Sequence, residues 1–569
     1  MEKKLIALFM VLAMVLSLAF CGSSGTNNSD APKTEPAETT KDAPAPSDTD
    51  TSDTTAEPTK EEGSGYKITD EKVEISVLCP FFSALIEDPN DIKGVQAMEE
   101  STNVHVNWIT YDTNEMLEKW TQILATGDLP DIMFPGGTNK YPEGFMQGVE
   151  DGVLVDIDQY KDLFPNYFAL LNSSTDAYKQ ALEDDGKVHS AKVITGTNTE
   201  LAPHVSFIGQ ALRLDILEKL GLDVPETIDE LHNALIKCRD ELGMTAPMIL
   251  EADGGGNFSN AWGVATGAFG NYLQFDSKTQ TIQYAALQDG FYDYVFTMKE
   301  WYKEGLIDKN FTTPGTFYTS DYSSFQNDTT LYYSNWLGGM CGNNLYTSGL
   351  IDNDKCFMQA VPGFKLKEDS QLIGGYGNGI VQAQDIFINA NSKVDREILC
   401  KWVDYLYTTE RMQYNYYGIE NESYYIDSNG DYQFTDQILK NPDGMSVSDA
   451  LYHYAMRTYM GYQNDAADAK VSAVSSPDGV DYSSEAGLIW RQCDLSLAIP
   501  SGVVLSAEES ETANMYSTAL KTMVSEFMVK TILGQIDTTK EEFIQKLHDN
   551  GVDQLIKVYQ DAFDRFNNR

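Results

Sequence analysis

The segment Leu212–Leu235, LRLDILEKLGLDVPETIDELHNAL, contains the signals for the end of one helix and the start of another. Its leucines Leu214, Leu217 and Leu220 recur at three-residue spacing, which places them on one face of a helix. Gly221 is expected to end that helix, because glycine readily adopts the left-handed conformation needed just past a helix C-terminus. The segment therefore predicts a short amphipathic helix followed by a tight connection.

A second helix is predicted to begin within the same segment. Pro225 prevents the connection from continuing as helix, and Thr227 precedes Glu230 by three positions. Each of these two side chains can bond the other residue's backbone N–H, which is the capping box found at helix N-termini. We therefore expect the new helix to start directly after Thr227.

This segment contains the pattern R-x-D-x-L-x-K-L-G-L-x-x-P-x-T-x-D-E-L. The pattern resembles one found in the extracellular solute-binding proteins (family 1) of bacterial ABC transporters, in the lipoprotein branch that binds oligosaccharides. Further motifs match that family in its order from about residue 72 to the C-terminus. They are Ala125-Thr-Gly-Asp-Leu-Pro-Asp-Ile132, Gly152-Val-Leu-Val-Asp-Ile157, Trp301-Tyr-Lys-Glu-Gly-Leu-Ile-Asp308, Tyr417-Gly-Ile-Glu420 with Ser423-Tyr424, and Ala562-Phe-Asp-Arg565.

The resemblance implies an α/β fold, namely a two-lobed periplasmic-binding-protein type II fold with a ligand cleft between the lobes. It also implies a non-enzymatic, monomeric carrier without a cofactor, which captures a carbohydrate and presents it to the permease subunits of an importer. The boundaries that it suggests are residues 1–21 for a signal peptide, 22–66 for a tether, 67–192 and 333–392 for lobe 1, and 193–332 and 393–569 for lobe 2.

Composition restricts the partners of this chain. The 569 residues carry 86 acidic against 40 basic side chains, a formal net charge of −46. Nucleic acids and anionic membrane surfaces are disfavoured, because binding phosphate requires cationic side chains. An anionic ligand is disfavoured too, unless the charge is reversed locally.

The N-terminus reads as a lipoprotein leader followed by a spacer. Lys3 and Lys4 precede an apolar run that ends at Phe20, which is too short for a comfortable transmembrane helix. Leu18-Ala-Phe-Cys21 resembles a lipobox, although Phe20 stands where the family has a small residue. Cys21 is the expected lipidation site, and ordinary secretion is the alternative. Residues 22 to 66 are Ser, Thr, Pro and acidic residues, and are expected to form a disordered tether to the membrane.

The start of the globular body predicts a parallel sheet. Alternating or apolar runs at 72–78, 104–108 and 131–134 are typical of strands, with helices between them. In the second of these helices, Leu117, Trp120 and Leu124 share a face. A β-α-β-α-β order predicts parallel strands covered by helices on both sides.

Candidate ligand contacts are aromatic and polar residues in loops rich in Gly and Asn. Sugar rings stack on aromatic side chains, and their hydroxyls need paired donors and acceptors, because a buried unpaired polar group costs about 1–3 kcal/mol. Packing in the core is the alternative for each. The candidates are Trp336, Asn335, Trp262, Tyr376, Phe134, Trp490, Arg491 and Tyr425. Trp336 stands first among them, in what we expect to be a polar turn where the chain crosses back into lobe 1.

Catalytic and metal sites find no support in the sequence. There is no H-E-x-x-H motif, no G-x-S-x-G elbow and no phosphate-binding loop. Many relatives carry a calcium loop after the helix that follows P-x-T, but residues 239–247 lack its alternating oxygen ligands. The six cysteines after Cys21 form no C-x-x-C pair, so buried thiols or disulfides are expected rather than zinc. A secreted glycoside-cleaving enzyme remains the alternative function, and a binding protein for peptides or for sensing is a third.

Overall fold

The computed structural model describes most of the chain after the tether. The described residues are 66–81, 83, 85–112, 115–136, 140–142, 144–197, 200–202, 208–251, 254–255, 257–266, 272–313, 329–336, 358–374, 379–475 and 482–569. Cys21 and residues 22–65 of the expected tether lie outside them. Within the described residues, no helix is long and apolar enough to cross a membrane.

The strands are numbered here in chain order. They are β1 Val73–Pro80, β2 Val104–Tyr111, β3 Ile132–Met133, β4 Ala191–Gly196, β5 Ile208–Arg213, β6 Leu273–Asp276, β7 Thr281–Tyr284, β8 Tyr332–Trp336, β9 Met358–Val361, β10 Val381–Ile388, β11 Tyr424–Ile426, β12 Tyr432–Phe434 and β13 Tyr462–Asn464.

The α-helices are numbered in the same way. They are α1 Lys93–Thr102, α2 Met116–Thr126, α3 Phe145–Glu150, α4 Pro165–Asn172, α5 Thr175–Ala181, α6 Leu214–Lys219, α7 Ile228–Leu242, α8 Asp289–Lys303, α9 Arg396–Tyr405, α10 Thr409–Tyr416, α11 Asp436–Leu439, α12 Val447–Tyr452, α13 Asp465–Ser475, α14 Tyr482–Trp490, α15 Ala507–Ile532, α16 Lys540–Asp549 and α17 Val552–Asn567.

The larger sheet has six strands in the order β13-β4-β10-β3-β1-β2. Strand β1 pairs in parallel with both β2 and β3, as the β-α-β-α-β order predicts. Strand β10 runs antiparallel to β3 and β4, and β13 is parallel to β4. This mixed sheet, with one returning strand among parallel ones, agrees with the predicted type II periplasmic-binding fold.

A second sheet of three strands, β8-β5-β9, is antiparallel throughout. It packs under helices α6, α7, α8 and α15, which bury their apolar faces in one continuous core with Leu212, Tyr332 and Val361. The larger sheet has its own core, to which Val77, Ile194 and Trp402 belong. The molecule thus has two lobes, each with a sheet and a separate core.

The two cores divide the chain differently from the boundaries expected at residues 333 and 393. Strands β8 and β9 both pair with β5, so these two strands belong to the sheet of the second lobe. Helix α9 buries Trp402 and Val403 in the first core, and β13 joins the first sheet, so the chain remains there well beyond 393. These strands pair with segments that are distant in the sequence. Local patterns of apolar and polar residues therefore do not predict which lobe each strand joins.

The segment Leu212–Leu235 folds as its residues predict. Gly221 takes a φ of +63°, and the N–H of Leu222 donates to the Leu217 carbonyl at 2.9 Å, the bond of a Schellman ending. The capping box of Thr227 and Glu230 is present at the start of α7. Both helix ends are therefore confirmed.

Helix α2 carries the three residues that share a face by their spacing, and it ends at Gly127 in the left-handed conformation. Burial differs along this face: Trp120 is buried, Leu124 is partly buried and Leu117 is 62% exposed. The helix therefore contacts the lobe along a stripe narrower than the shared face.

A buried ion pair joins β4 to β10. Lys192 and Asp385 lie opposite each other in the two strands, and the ammonium is 2.7 Å from the Asp385 carboxylate and 3.0 Å from that of Glu183. The Ser190 hydroxyl donates to Asp385 at 2.6 Å. Burial alone would raise the pKa of Asp385, but the charges of Lys192 and Lys140 and the hydrogen bonds from Lys192 and Ser190 together outweigh it, and the pKa is lowered. The carboxylate is therefore ionised in the folded protein.

The described cysteines Cys79, Cys238, Cys400 and Cys493 are free thiols. Cys341 and Cys356 lie outside the described residues. The first three thiols are buried, and burial raises the pKa of Cys79 to about 11 and those of Cys238 and Cys400 to about 12. These thiols are unreactive core side chains, which is the simpler of the two expectations stated above.

Candidate ligand cleft

Several strand ends of the larger sheet meet at one edge. Strands β1, β3 and β4 are mutually parallel, so Pro80, Phe134 and Gly196 lie at their carboxyl ends, and Val381 begins the antiparallel strand β10 there. The Thr195 N–H donates to the Ile380 carbonyl at 2.9 Å, which closes this edge. Open α/β sheets bind ligands outside the carboxyl ends of their strands. This edge is therefore the first wall of a candidate cleft.

The second wall is built on the start of β5, to which the chain runs after leaving β4. Ile208 pairs with Trp336, and Gly209 pairs with Asn335. The two residues that stood first among the candidates thus lie at a strand end rather than in the expected turn, and on the second lobe's sheet. The structure describes only the backbone of Asn335 and Trp336, so their contact with ligand stays a prediction.

Trp490 packs directly on this strand end. Its indole lies against Gly209, where an added Cβ would be 2.2 Å from the ring, and its Nε1–H donates to the Gln210 carbonyl at 2.9 Å. The side chain is only 5% exposed. The structure therefore brings Trp490 beside the backbone of Asn335 and Trp336. Most of its indole surface is already buried against the sheet.

The remaining candidates are spread over the two lobes. Phe134 is at the predicted edge but only 2% exposed, in the first core. Trp262 is partly buried, with ring centroids 5.4 Å from Phe258 and 5.3 Å from Tyr294 in the second core. Tyr425 is 45% exposed in the hairpin of β11 and β12. Arg491 is half-buried after Trp490. Tyr376 lies outside the described residues, and ligand contact stays a prediction for all five.

Tyr459 is an exposed ring that the sequence reasoning missed. The preceding residue, Thr458, places its hydroxyl 3.1 Å from the Cys79 sulfur at the carboxyl end of β1, and Tyr459 itself is 56% exposed. The Asp468 carboxylate raises the pKa of Tyr459 to about 12, so the hydroxyl stays protonated at neutral pH. Tyr459 lies two residues before Gly461, as Trp262 lies directly before Gly263. A search for aromatic residues close to glycine could therefore have included Tyr459 among the candidates.

Ionic contacts connect the two lobes. Asp184, between α5 and β4, accepts from the Nε of Arg565 at 2.9 Å and from Arg569 at 2.6 Å. Arg569 also donates to the Gly502 carbonyl at 3.1 Å, and Arg565 pairs with Glu509 on α15. The Arg569 guanidinium is 2% exposed. We call these contacts the Asp184 junction.

Metal sites are absent from the described part of the chain, in the sense that no three His, Cys, Asp or Glu side chains are grouped to hold an ion. Residues 239–247, where relatives of the resembled family carry a calcium loop, contain the end of α7 and its glycine cap, Gly243.

Comparison with known families shows which family has this architecture. The model of the family described as bacterial extracellular solute-binding protein matches residues 82–413, more than half of the chain. The chain belongs to this family. It is also similar in fold to the HMO-binding, ABC-transporter-associated solute-binding protein of Bifidobacterium longum infantis, with a TM-score of 0.68 at 17% identity, over 87% of this chain and 99% of that one.

Two curated relatives match in sequence. The fructooligosaccharide ABC transporter substrate-binding protein FusA of Streptococcus pneumoniae is 28% identical over 152 residues, which is 26% of this chain and 28% of FusA. Lipoprotein LipO of Bacillus subtilis is 24% identical over 256 residues, 42% of this chain and 46% of LipO. The alignments thus span less than half of either relative.

Proposed function

We propose that this solute-binding protein captures an oligosaccharide between its lobes and delivers it, as a monomer, to the permease of an ABC importer. The observation that carries the proposal is the family match together with a cleft edge that presents an exposed tyrosine, Tyr459. Relatives named for fructooligosaccharide and for HMO support a carbohydrate. The formal charge of −46 favours a neutral ligand over an anionic one.

The test is incubation of the purified protein with labelled neutral oligosaccharides, followed by separation of protein and free sugar. A binding protein retains the sugar intact, and a ligand that binds only the folded state also raises the unfolding temperature. Release of shorter fragments would instead support a glycoside-cleaving enzyme. Retention of peptides but of no sugar would defeat the carbohydrate proposal.

Aromatic truncation at the cleft is expected to weaken sugar binding. Trp336→Ala should cost roughly 2–4 kcal/mol of binding free energy if its ring is a buried anchor, and Tyr459→Ala roughly 1–2 kcal/mol, because its ring is open to solvent on one side. Titration calorimetry with the retained sugar measures both values.

Phe296→Ala is the matched control for these variants, because Phe296 is 42% exposed on α8, outside the proposed cleft. It should leave sugar affinity unchanged. Urea midpoints separate binding from folding: a large loss of stability in Trp336→Ala, with affinity intact in the folded fraction, would assign Trp336 to the core and remove it from the site.

Membrane anchoring through Cys21 is also proposed. It rests on the lipobox-like Leu18-Ala-Phe-Cys21, on the tether behind it, and on a relative named as a lipoprotein. A diacylated Cys21 would hold the protein on the outer face of the cell membrane. Cys21→Ala should then move the protein from the membrane fraction to the medium, and equal release of the unmodified chain would contradict anchoring.

A further inference from the structure

A buried arginine without a carboxylate partner lies behind the cleft edge of the first lobe. Arg411, on α10, is 3% exposed. Within the described residues, no Asp or Glu carboxylate lies within ion-pair distance of it, and its Nη1 is buried without a hydrogen-bond acceptor. With described residues, its guanidinium makes a single long hydrogen bond of 3.5 Å, from Nη2 to the Thr458 carbonyl.

This arrangement is costly unless something compensates the charge. Arginine stays protonated in proteins, and a buried unpaired charge costs several kcal/mol. Burial lowers the pKa of Arg411, although not enough to neutralise a guanidinium. The groups that face it are neutral at pH 7, namely the phenols of Tyr405, Tyr407 and Tyr416 and the thiol of Cys79, whose pKa is raised to about 11.

A cavity of about 20 Å³ adjoins the guanidinium. Its wall includes Arg411, Asn415, Thr458 and Trp108, and it reaches the first turn of α1 at Gly94 and Val95. The indole Nε1–H of Trp108 is a second buried donor without an acceptor. The first N–H groups of α1, those of Lys93 and Gly94, already donate to the carbonyls of His453 and Tyr454. The cavity thus offers two unpaired buried donors, on Arg411 and Trp108, among mostly apolar side chains, and it holds about one water-sized particle.

We propose that this cavity binds a small monovalent anion of the halide class, with Arg411 as its principal ligand. A halide neutralises the guanidinium and can accept from the two unpaired N–H donors, those of Arg411 and Trp108, whereas water leaves the charge unpaired. The size of the cavity excludes sulfate, phosphate and carboxylates. The site reverses locally the strongly acidic character of the chain, and it lies behind the edge of the proposed sugar cleft rather than within it.

Bound anion would also order part of the cleft edge. Arg411 and the side-chain amide of Asn415 both donate to the Thr458 carbonyl, the latter at 3.1 Å, and Thr458 precedes Tyr459. Neutralising Arg411 therefore fixes the segment that carries the exposed ring.

The first test is thermal unfolding of the full protein in sodium chloride or bromide against sodium gluconate at equal ionic strength. We expect the unfolding temperature to be roughly 2–4 °C higher in halide, because the ion binds only the folded state. Arg411→Met should lose this difference. Arg457→Met is the matched control, since Arg457 is a neighbouring arginine that faces a carboxylate, Asp468 at 3.8 Å, and it should keep the difference.

The second test locates the ion in the unmodified protein, and so does not depend on a variant that folds. Crystals grown in bromide should show an anomalous scattering peak beside the Arg411 guanidinium. A cavity that contains only water, with no anomalous peak, would overturn the proposal. So would a halide effect on unfolding that persists unchanged in Arg411→Met.

Discussion

Lys192→Met is expected to destabilise the protein by about 3–5 kcal/mol. The substitution removes the cation from between β4 and β10 and leaves the Asp385 carboxylate, which is 7% exposed, without its ion-pair partner. Breaking a buried pair by deleting one partner has a cost of this size, because the remaining charge is desolvated and uncompensated. Urea unfolding followed by circular dichroism measures the change.

Two further variants make this result specific. Lys192→Met with Asp385→Asn should recover most of the lost stability, because no uncompensated charge remains between the strands. Lys187→Met removes a lysine from an exposed pair with Asp158 and should cost less than about 1 kcal/mol. A loss in Lys192→Met no larger than that of Lys187→Met would show that the pair does not hold the strands as described.

Trp490→Ala is the second substitution with a large expected effect, again about 3–5 kcal/mol of folding stability. The indole fills the space over Gly209 and donates to Gln210, so its removal leaves a cavity on the sheet and an unpaired carbonyl. Trp490→Phe keeps a ring but loses the donor, and should cost less, about 1–3 kcal/mol. Urea midpoints of the two variants test this order.

Gly209→Ala provides an independent check on the same contact. A Cβ at this position collides with the indole, so the substitution should destabilise the unmodified protein by about 1–3 kcal/mol. In the Trp490→Ala background the ring is absent, and the added methyl group should be tolerated. Equal costs of Gly209→Ala in both backgrounds would contradict the packing described here.

Local structure could be predicted from the sequence where a residue type strongly favours one backbone position, such as a helix end. Gly221 and Gly127 end helices because they take positive φ, and Thr227 opens one because its hydroxyl reaches the Glu230 N–H. Parallel pairing of β1 with β2 and β3 follows from the helices between them. Such signals lie within a few residues or within one β-α-β unit.

The parts that could not be predicted depend on pairing between remote segments. Strand β13 joins the edge of the first sheet beside β4, across more than 250 residues of chain, and three residues without alternation give no hint of it. Trp336 looked like a turn residue because glycines follow it, whereas its backbone is held by β5. Arg411 gave no signal either, since an arginine on a helix is normally exposed.

The Asp184 junction implies that affinity and specificity are set in different places. Any rearrangement that separates the lobes at this point must break the bonds of Asp184 with Arg565 and Arg569. Their strength therefore enters the equilibrium between arrangements, and with it the fraction of molecules that is competent to bind. Because this fraction scales the apparent dissociation constant of every ligand by the same factor, sequence changes at the junction would tune how tightly the protein binds without altering which ligand it selects.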